Sequence, residues 1–170
     1  MKKFKLYLDK DEEENWLNEM AKRGFAFNNF FLGIYSFEPC KPGEYNYQID
    51  LLDNWHGDKS DFSCFMEDSG VEVVSQWYRW IFIRKKASEG AFQMYTDGES
   101  KIAQYTRIRN FFTVALIIEA ICFLIELTCA VQNGASFIWT FVALLGLITL
   151  TFLRIVWKCN WKIKQLKNEI

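Results

Sequence analysis

Among 170 residues there is a single histidine, His56, and the five cysteines form no CxxC pair. A His-based triad or metal centre would therefore rest on one side chain, and an odd cysteine count without paired spacing is no disulfide framework. P-loop, GxGxxG, HExxH and GxSxG motifs are all missing. Charge is missing too, but only locally. Residues 110–157 hold three charged side chains, Glu119, Glu126 and Arg154. Residues 1–109 hold 15 of the 20 Lys and Arg and 18 of the 21 Asp and Glu. This asymmetry excludes a purely soluble protein and a disordered chain. The net charge of −3 over residues 1–109 repels phosphate, so no direct nucleic-acid partner is expected.

The uncharged region contains two apolar runs, residues 111–131 and 136–157, with Gln132-Asn133-Gly134-Ala135 between them. At about 1.5 Å per residue, each run matches a hydrocarbon core of about 30 Å. So short a connection predicts an antiparallel transmembrane hairpin. Lys101, Arg107 and Arg109 precede it and Lys158, Lys162, Lys164 and Lys167 follow, whereas the turn has no basic residue. The positive-inside rule then places both termini in the cytoplasm of a cell with an inner membrane. The stretch after Met1-Lys2-Lys3 lacks the apolar core of a signal peptide. The expected organisation is a cytosolic domain over 1–96, a juxtamembrane helix over 97–110, the hairpin over 111–157 and a basic tail over 158–170.

In the polar part, Phe4-Lys5-Leu6-Tyr7-Leu8 alternates as a strand. Asp11 to Glu14 reads as a capping box opening a helix that carries Trp16, Leu17, Met20 and Ala21 and stops at Gly24. The period then changes to two. Strands are predicted around Phe25–Phe27, Ile34–Phe37 and Tyr45–Leu51, with a turn near Asn28–Phe31. Ser60 caps a second predicted helix with Phe62, Phe65 and Met66, ending at Gly70; strands follow at Val71–Val74 and Ile81–Ile83, with a short one at Phe92–Tyr95. Thr96 or Asp97 caps the helix leading into the first span. With Gly24 aligned on Gly70, GFAFNNFFLGIYSFE runs ungapped against GVEVVSQWYRWIFIR, so each half reads helix, Gly, strand, turn, strand. The expected fold class is α+β: an antiparallel sheet with two helices on one face, followed by the transmembrane hairpin.

Several landmarks coincide. Glu14-x-Trp16-Leu17-x-x-Met20-Ala21-x-x-Gly24 precedes Tyr35-x-Phe37 and Pro42-Gly43-Glu44-Tyr45-x-Tyr47-x-Ile49-Asp50. Phe65-x-x-x-x-Gly70, Trp77, Trp80, Phe82-x-Arg84-Lys85 and Tyr95-x-Asp97-x-Glu99-Ser100-Lys101 follow. Together, over residues 4–107, these resemble the bacterial domain-of-unknown-function family 2812. The resemblance implies a membrane-anchored protein in a regulatory or sensory setting, often encoded beside a PadR-like transcriptional repressor. It carries over no catalytic residue and no cofactor.

Asp53, His56, Asp58, Asp61 and Cys64 are close enough in sequence for mixed metal ligands or a Cys–His dyad. Their spacing matches no ligand pattern and equally describes a solvated loop, so neither an enzyme nor a metal or cofactor site is expected. The aromatic residues say more. Tyr45, Tyr47, Trp77, Tyr78 and Trp80 fall on both faces of the predicted strands, which leaves some on the face away from the helices. Two readings of that face stay open: a docking surface for a protein, a second copy, a small amphipathic ligand or the bilayer, or a face covered by the C-terminal segment. In the hairpin, Glu119 and Glu126 share one helix face, at a cost of about 2.5–3.5 kcal/mol per charge at mid-membrane. Glu119 is expected opposite residues 147–149, with Arg154 about 7 Å deeper, and Gly146 offers close helix contact. These residues predict an assembly interface, with a proton or ion path as the alternative. The functional expectation is a membrane-tethered, non-catalytic interaction or ligand-sensing module, the alternative being a small oligomeric transporter or channel subunit using Glu119.

Overall fold

The computed structural model describes residues 1–52, 70–90, 92–133 and 136–169. The second predicted helix and the Asp53, His56, Asp58, Asp61 and Cys64 group lie outside these residues. The chain divides into two compact units, Met1–Thr96 and Asp97–Ile170.

The first unit is α+β. Strand β1 (Lys2–Phe4) leads to helix α1 (Lys10–Lys22), hairpin β2 (Phe25–Phe31) and β3 (Ile34–Pro39), then β4 (Tyr45–Leu51). A second hairpin, β5 (Glu72–Trp77) and β6 (Trp80–Lys86), ends in a 3-10 turn at Ala87–Glu89. The strands form two antiparallel three-stranded sheets, β1-β3-β2 and β4-β6-β5, in place of the single sheet expected. The cause lies at the seam. Strands β2 and β5 meet through side chains: Ser75 Oγ accepts from Phe30 N at 3.1 Å and donates to Asn29 Oδ1 at 3.2 Å. Both strands bulge there, which bends them and interrupts regular pairing.

The two hairpins share one register. Phe27↔Phe37 and Asn29↔Ser36 flank the first bulge, and Val73↔Ile83 and Ser75↔Phe82 flank the second, each first-strand position advanced by 46 residues. The first turn falls at Leu32-Gly33, after a strand that continues through Phe31, not at Asn28–Phe31. Helix α1 is capped by Asp9, whose side chain accepts from Asp11 N at 2.7 Å, so the cap lies two residues before the expected Asp11. Glu14 is thereby freed from a capping role. Residues 92–95 form no strand, yet they are pinned to the outer face of the second sheet. Gln48 donates to Phe92 O and accepts from Met94 N, and Tyr95 Oη donates to Asp50 at 2.6 Å.

One core serves both sheets. Leu17, Met20 and Ala21 of α1 pack on Phe27, Tyr35, Phe37, Tyr47, Ile49 and Phe82. The opposite face of the second sheet buries Val71, Ile81 and Ile83 beneath Phe92 and Met94.

The second unit is two long helices, α2 (Gly98–Asn133) and α3 (Ser136–Asn168), packed as an antiparallel hairpin. Asp97 caps α2, its carboxylate accepting from Ser100 N at 2.7 Å, which holds its pKa below the ordinary value. Both helices are long and apolar enough to cross a membrane. Phe112 meets Phe152 with ring centres 5.8 Å apart, and Val142, Ile155, Cys159 and Ile163 are buried. Around the rest of the circumference Ile118, Leu124, Leu147 and Leu150 stay 59–68% exposed.

Candidate functional site

The family-like residues of α1 converge on a polar cluster between the helix and both sheets. Strand β4 is an edge strand, and α1 supplies the partners that a neighbouring strand would. Asn18 Nδ2 donates to Tyr47 O at 3.0 Å while its Oδ1 accepts from Tyr47 N at 2.8 Å, and Glu14 Oε1 accepts from Ile49 N at 2.7 Å. The same Glu14 oxygen takes Lys10 Nζ at 2.9 Å. Burial pushes the Glu14 carboxyl up in spite of Lys10 and the Ile49 amide. Burial also works against the charged Lys10, but Glu14 and Asp11 hold its pKa above the ordinary value.

At the preceding residue, Tyr35 Oη donates to Glu13 Oε1 at 2.5 Å. Burial pushes Glu13 up to about 7; the Tyr35 hydrogen bond opposes the shift, Glu14 adds to it and Lys10 opposes it. Burial and the neighbouring Glu13 push Tyr35 far above the usual phenol range. Trp16 lies edge-on to Tyr35 and Phe37, at 4.9 and 5.5 Å, and the Lys5 ammonium sits 4.7 Å from the Trp16 ring. The cluster's evident work is structural. Glu14, Trp16 and Asn18 fix α1 to two sheets, which gives the Glu14-x-Trp16-Leu17 pattern a physical reason.

The aromatic residues expected on a docking face are divided by the fold. Tyr47 is a core residue, 1% exposed, whose hydroxyl accepts from Phe27 N at 2.9 Å. Tyr45 and Trp80 are half-buried against the same core, and the Arg84 guanidinium stacks 4.4 Å from the Tyr45 ring. These three cannot share an exposed face, because odd positions of β4 and even positions of β6 point at α1. Trp77 and Tyr78 remain outside, 36% and 49% exposed, at the second hairpin turn. The first turn matches them with Phe31 and Leu32, 58% and 57% exposed. Leu32 and Tyr78, at equivalent positions, both adopt positive φ, 45° and 55°. Bulky residues seldom take that conformation. Sequence reasoning missed this pair, although the ungapped alignment of the two halves sets Leu32 opposite Tyr78.

In the helical hairpin, Gly146 of α3 packs against Phe123 of α2; a Cβ there would lie 3.2 Å from Phe123 Cε2. Glu119, one turn away along α2, is half-buried, and its Oε1 is enclosed without a hydrogen-bond partner among the described residues. Glu126 is half-buried, and Arg154 is exposed on the hairpin surface. The structure thus brings Gly146 to the helix contact but does not bring Arg154 to Glu119.

Comparison with curated proteins finds no match, and comparison with solved structures finds none. A family match covers residues 9–117, from the cap of α1 into the first half of α2. It thus spans α1, both hairpins and the pinned 92–95 segment that the resemblance had bracketed. On that match the chain belongs to the family described as "Protein of unknown function (DUF2812)".

Proposed function

We propose that the chain is a membrane-tethered, non-catalytic module whose domain over residues 1–96 binds a protein partner or small amphipathic ligand at the cytoplasmic face of an inner membrane. One observation carries the tethering. The surface of the α2–α3 hairpin is aliphatic on the sides away from the helix contact, where a water-soluble helix pair would present a polar face. The basic residues flanking the two apolar runs support a cytoplasmic side for both termini. Tethering raises the local concentration of the domain for partners at the membrane, so binding there changes how much of a partner is free elsewhere. A PadR-like regulator is the partner that the family setting brings forward. Pull-down of the detergent-solubilised full chain from its host tests this: a specific protein partner supports the reading, and recovery of none contradicts it.

Glu119 Oε1, enclosed without a hydrogen-bond partner among the described residues, favours a second reading, a small oligomeric transporter or channel subunit. In this reading Glu119→Gln abolishes transport by reconstituted protein while assembly persists.

A further inference from the structure

The two hairpin turns of the first unit point the same way. Equivalent residues Asn29 and Ser75 are hydrogen-bonded across the seam, and the Phe30 and Trp77 rings lie 5.7 Å apart just before the turns. Phe31-Leu32 and Trp77-Tyr78 therefore form one end of the domain. The return of the chain from β1 widens this apolar end: Phe4 and Leu6, 68% and 75% exposed, close over Gly33, where a Cβ would meet Phe4, Leu6 and the Lys5 carbonyl at 3.0 Å. Gly33 holds φ +80°, so both conformation and space require glycine there. The outer face of the second sheet is covered by residues 92–95, whereas Phe4, Phe31 and Ile34 remain exposed on the first.

We infer that these paired tips are a lipid-docking surface, dipping Leu32, Phe31 and the Trp77-Tyr78 turn into the headgroup region of an anionic bilayer. The shape fits a bilayer surface: the tips are convex turns that present side chains. Trp and Tyr with aliphatic neighbours are the residues that settle at membrane interfaces. Lys2 and Lys5 are exposed beside Phe4 and Leu6, and residues 28–36 and 70–83 carry one acid, Glu72, at the start of β5 away from the turn. Of the acids opening α1, Asp9 is committed to the Asp11 amide and Asp11 to Lys10. Bulky side chains held at positive φ on both tips mark strain retained at an exposed position. The inference rests on the tethering proposed above, which keeps such a surface near lipid.

The test uses the full chain in vesicles of phosphatidylcholine with or without phosphatidylglycerol, the five native cysteines replaced by Ala. A spin label is placed at Leu32→Cys and, separately, at Leu147→Cys. With phosphatidylglycerol, the Leu32 label should favour oxygen over a water-soluble nickel relaxant, as an interfacial site does. Replacing Lys2 and Lys5 by Gln should lower the docked-to-undocked ratio roughly thirtyfold, at about 1 kcal/mol per lysine near an anionic surface. Removing phosphatidylglycerol should lower it likewise. A lipid-exposed Leu147 label beside a fully aqueous Leu32 label would overturn the inference, as would spin–spin broadening showing a second copy over the tips. A Leu147 label in water would overturn the tethering instead. Hydrogen exchange on the unmodified chain repeats the test without substitutions: amides of 28–34 should be slowed by phosphatidylglycerol, and no change would count against docking.

Discussion

Asn29 and Ser75 occupy the same position in two repeated hairpins and are hydrogen-bonded to each other across the seam between the sheets. Each sits just past a bulge, so each strand turns away from regular pairing where it meets its counterpart. Ser75 is buried and also satisfies the Phe30 amide. Replacing Ser75 with Ala leaves that amide without a partner, and the first unit should lose about 1–2 kcal/mol. Urea unfolding of the purified full chain, followed through the tryptophan signal, measures the loss. An unchanged midpoint would show that the seam is held by ring packing alone.

Glu13 makes the stability of the first unit depend on pH. Its carboxyl is pushed from an ordinary 4.5 up to about 7 by burial. Between those values the folded chain keeps a proton that the unfolded chain has released, so stability falls as pH rises through the window. The penalty is complete above pH 7. Glu13→Gln is neutral throughout and can still accept from Tyr35. It should exceed the native chain in stability above pH 7 by on the order of 2 kcal/mol, the difference vanishing near pH 4.5. Thermal unfolding across pH 4–8 reads the difference, and a gap independent of pH would contradict the assignment.

Glu14 has two duties, pairing with Lys10 and closing the β4 edge at Ile49. Glu14→Ala takes the carboxylate away from a buried ammonium and from the Ile49 amide at once, at a cost of about 3–5 kcal/mol. Lys10→Met together with Glu14→Leu should recover part of that loss in a urea titration, because it removes both charges at once.

How much of this could be read from the sequence depends on the range of the interaction. The start of α1 needs only local signals, yet the acids from Asp11 to Glu14 point to a cap at Asp11 and only the fold selects Asp9. The strand period of Tyr45–Leu51 was legible, since alternation is local. Which face Tyr47 occupies was not, because that depends on α1 lying across β4. The two-sheet division was hidden for the same reason: it turns on the Asn29–Ser75 contact, 46 residues apart. The repeat itself was visible in the ungapped alignment. Its consequence, two bulky residues at positive φ in equivalent turns, needed backbone geometry.

Gly146 tests the helical hairpin. Leucine there would collide with Phe123, whose ring already lies 3.2 Å from where a Cβ would be, so Gly146→Leu should separate the helices. Adding Phe123→Ala should restore part of the packing. Disulfide cross-linking between cysteines introduced at Phe112 and Phe152 reports the contact, with yield falling in the single variant and recovering in the double.

The central claim is that the α2–α3 hairpin crosses a bilayer and holds the N-terminal domain on its cytoplasmic side. Host membranes are washed in alkaline carbonate, and intact and permeabilised cells are treated with an impermeant amine reagent, with Lys2 and Lys3 read by mass spectrometry. The account predicts that the full chain stays in the membrane pellet and that both lysines react only after permeabilisation. Release by carbonate, or labelling of these lysines on intact cells, would contradict it.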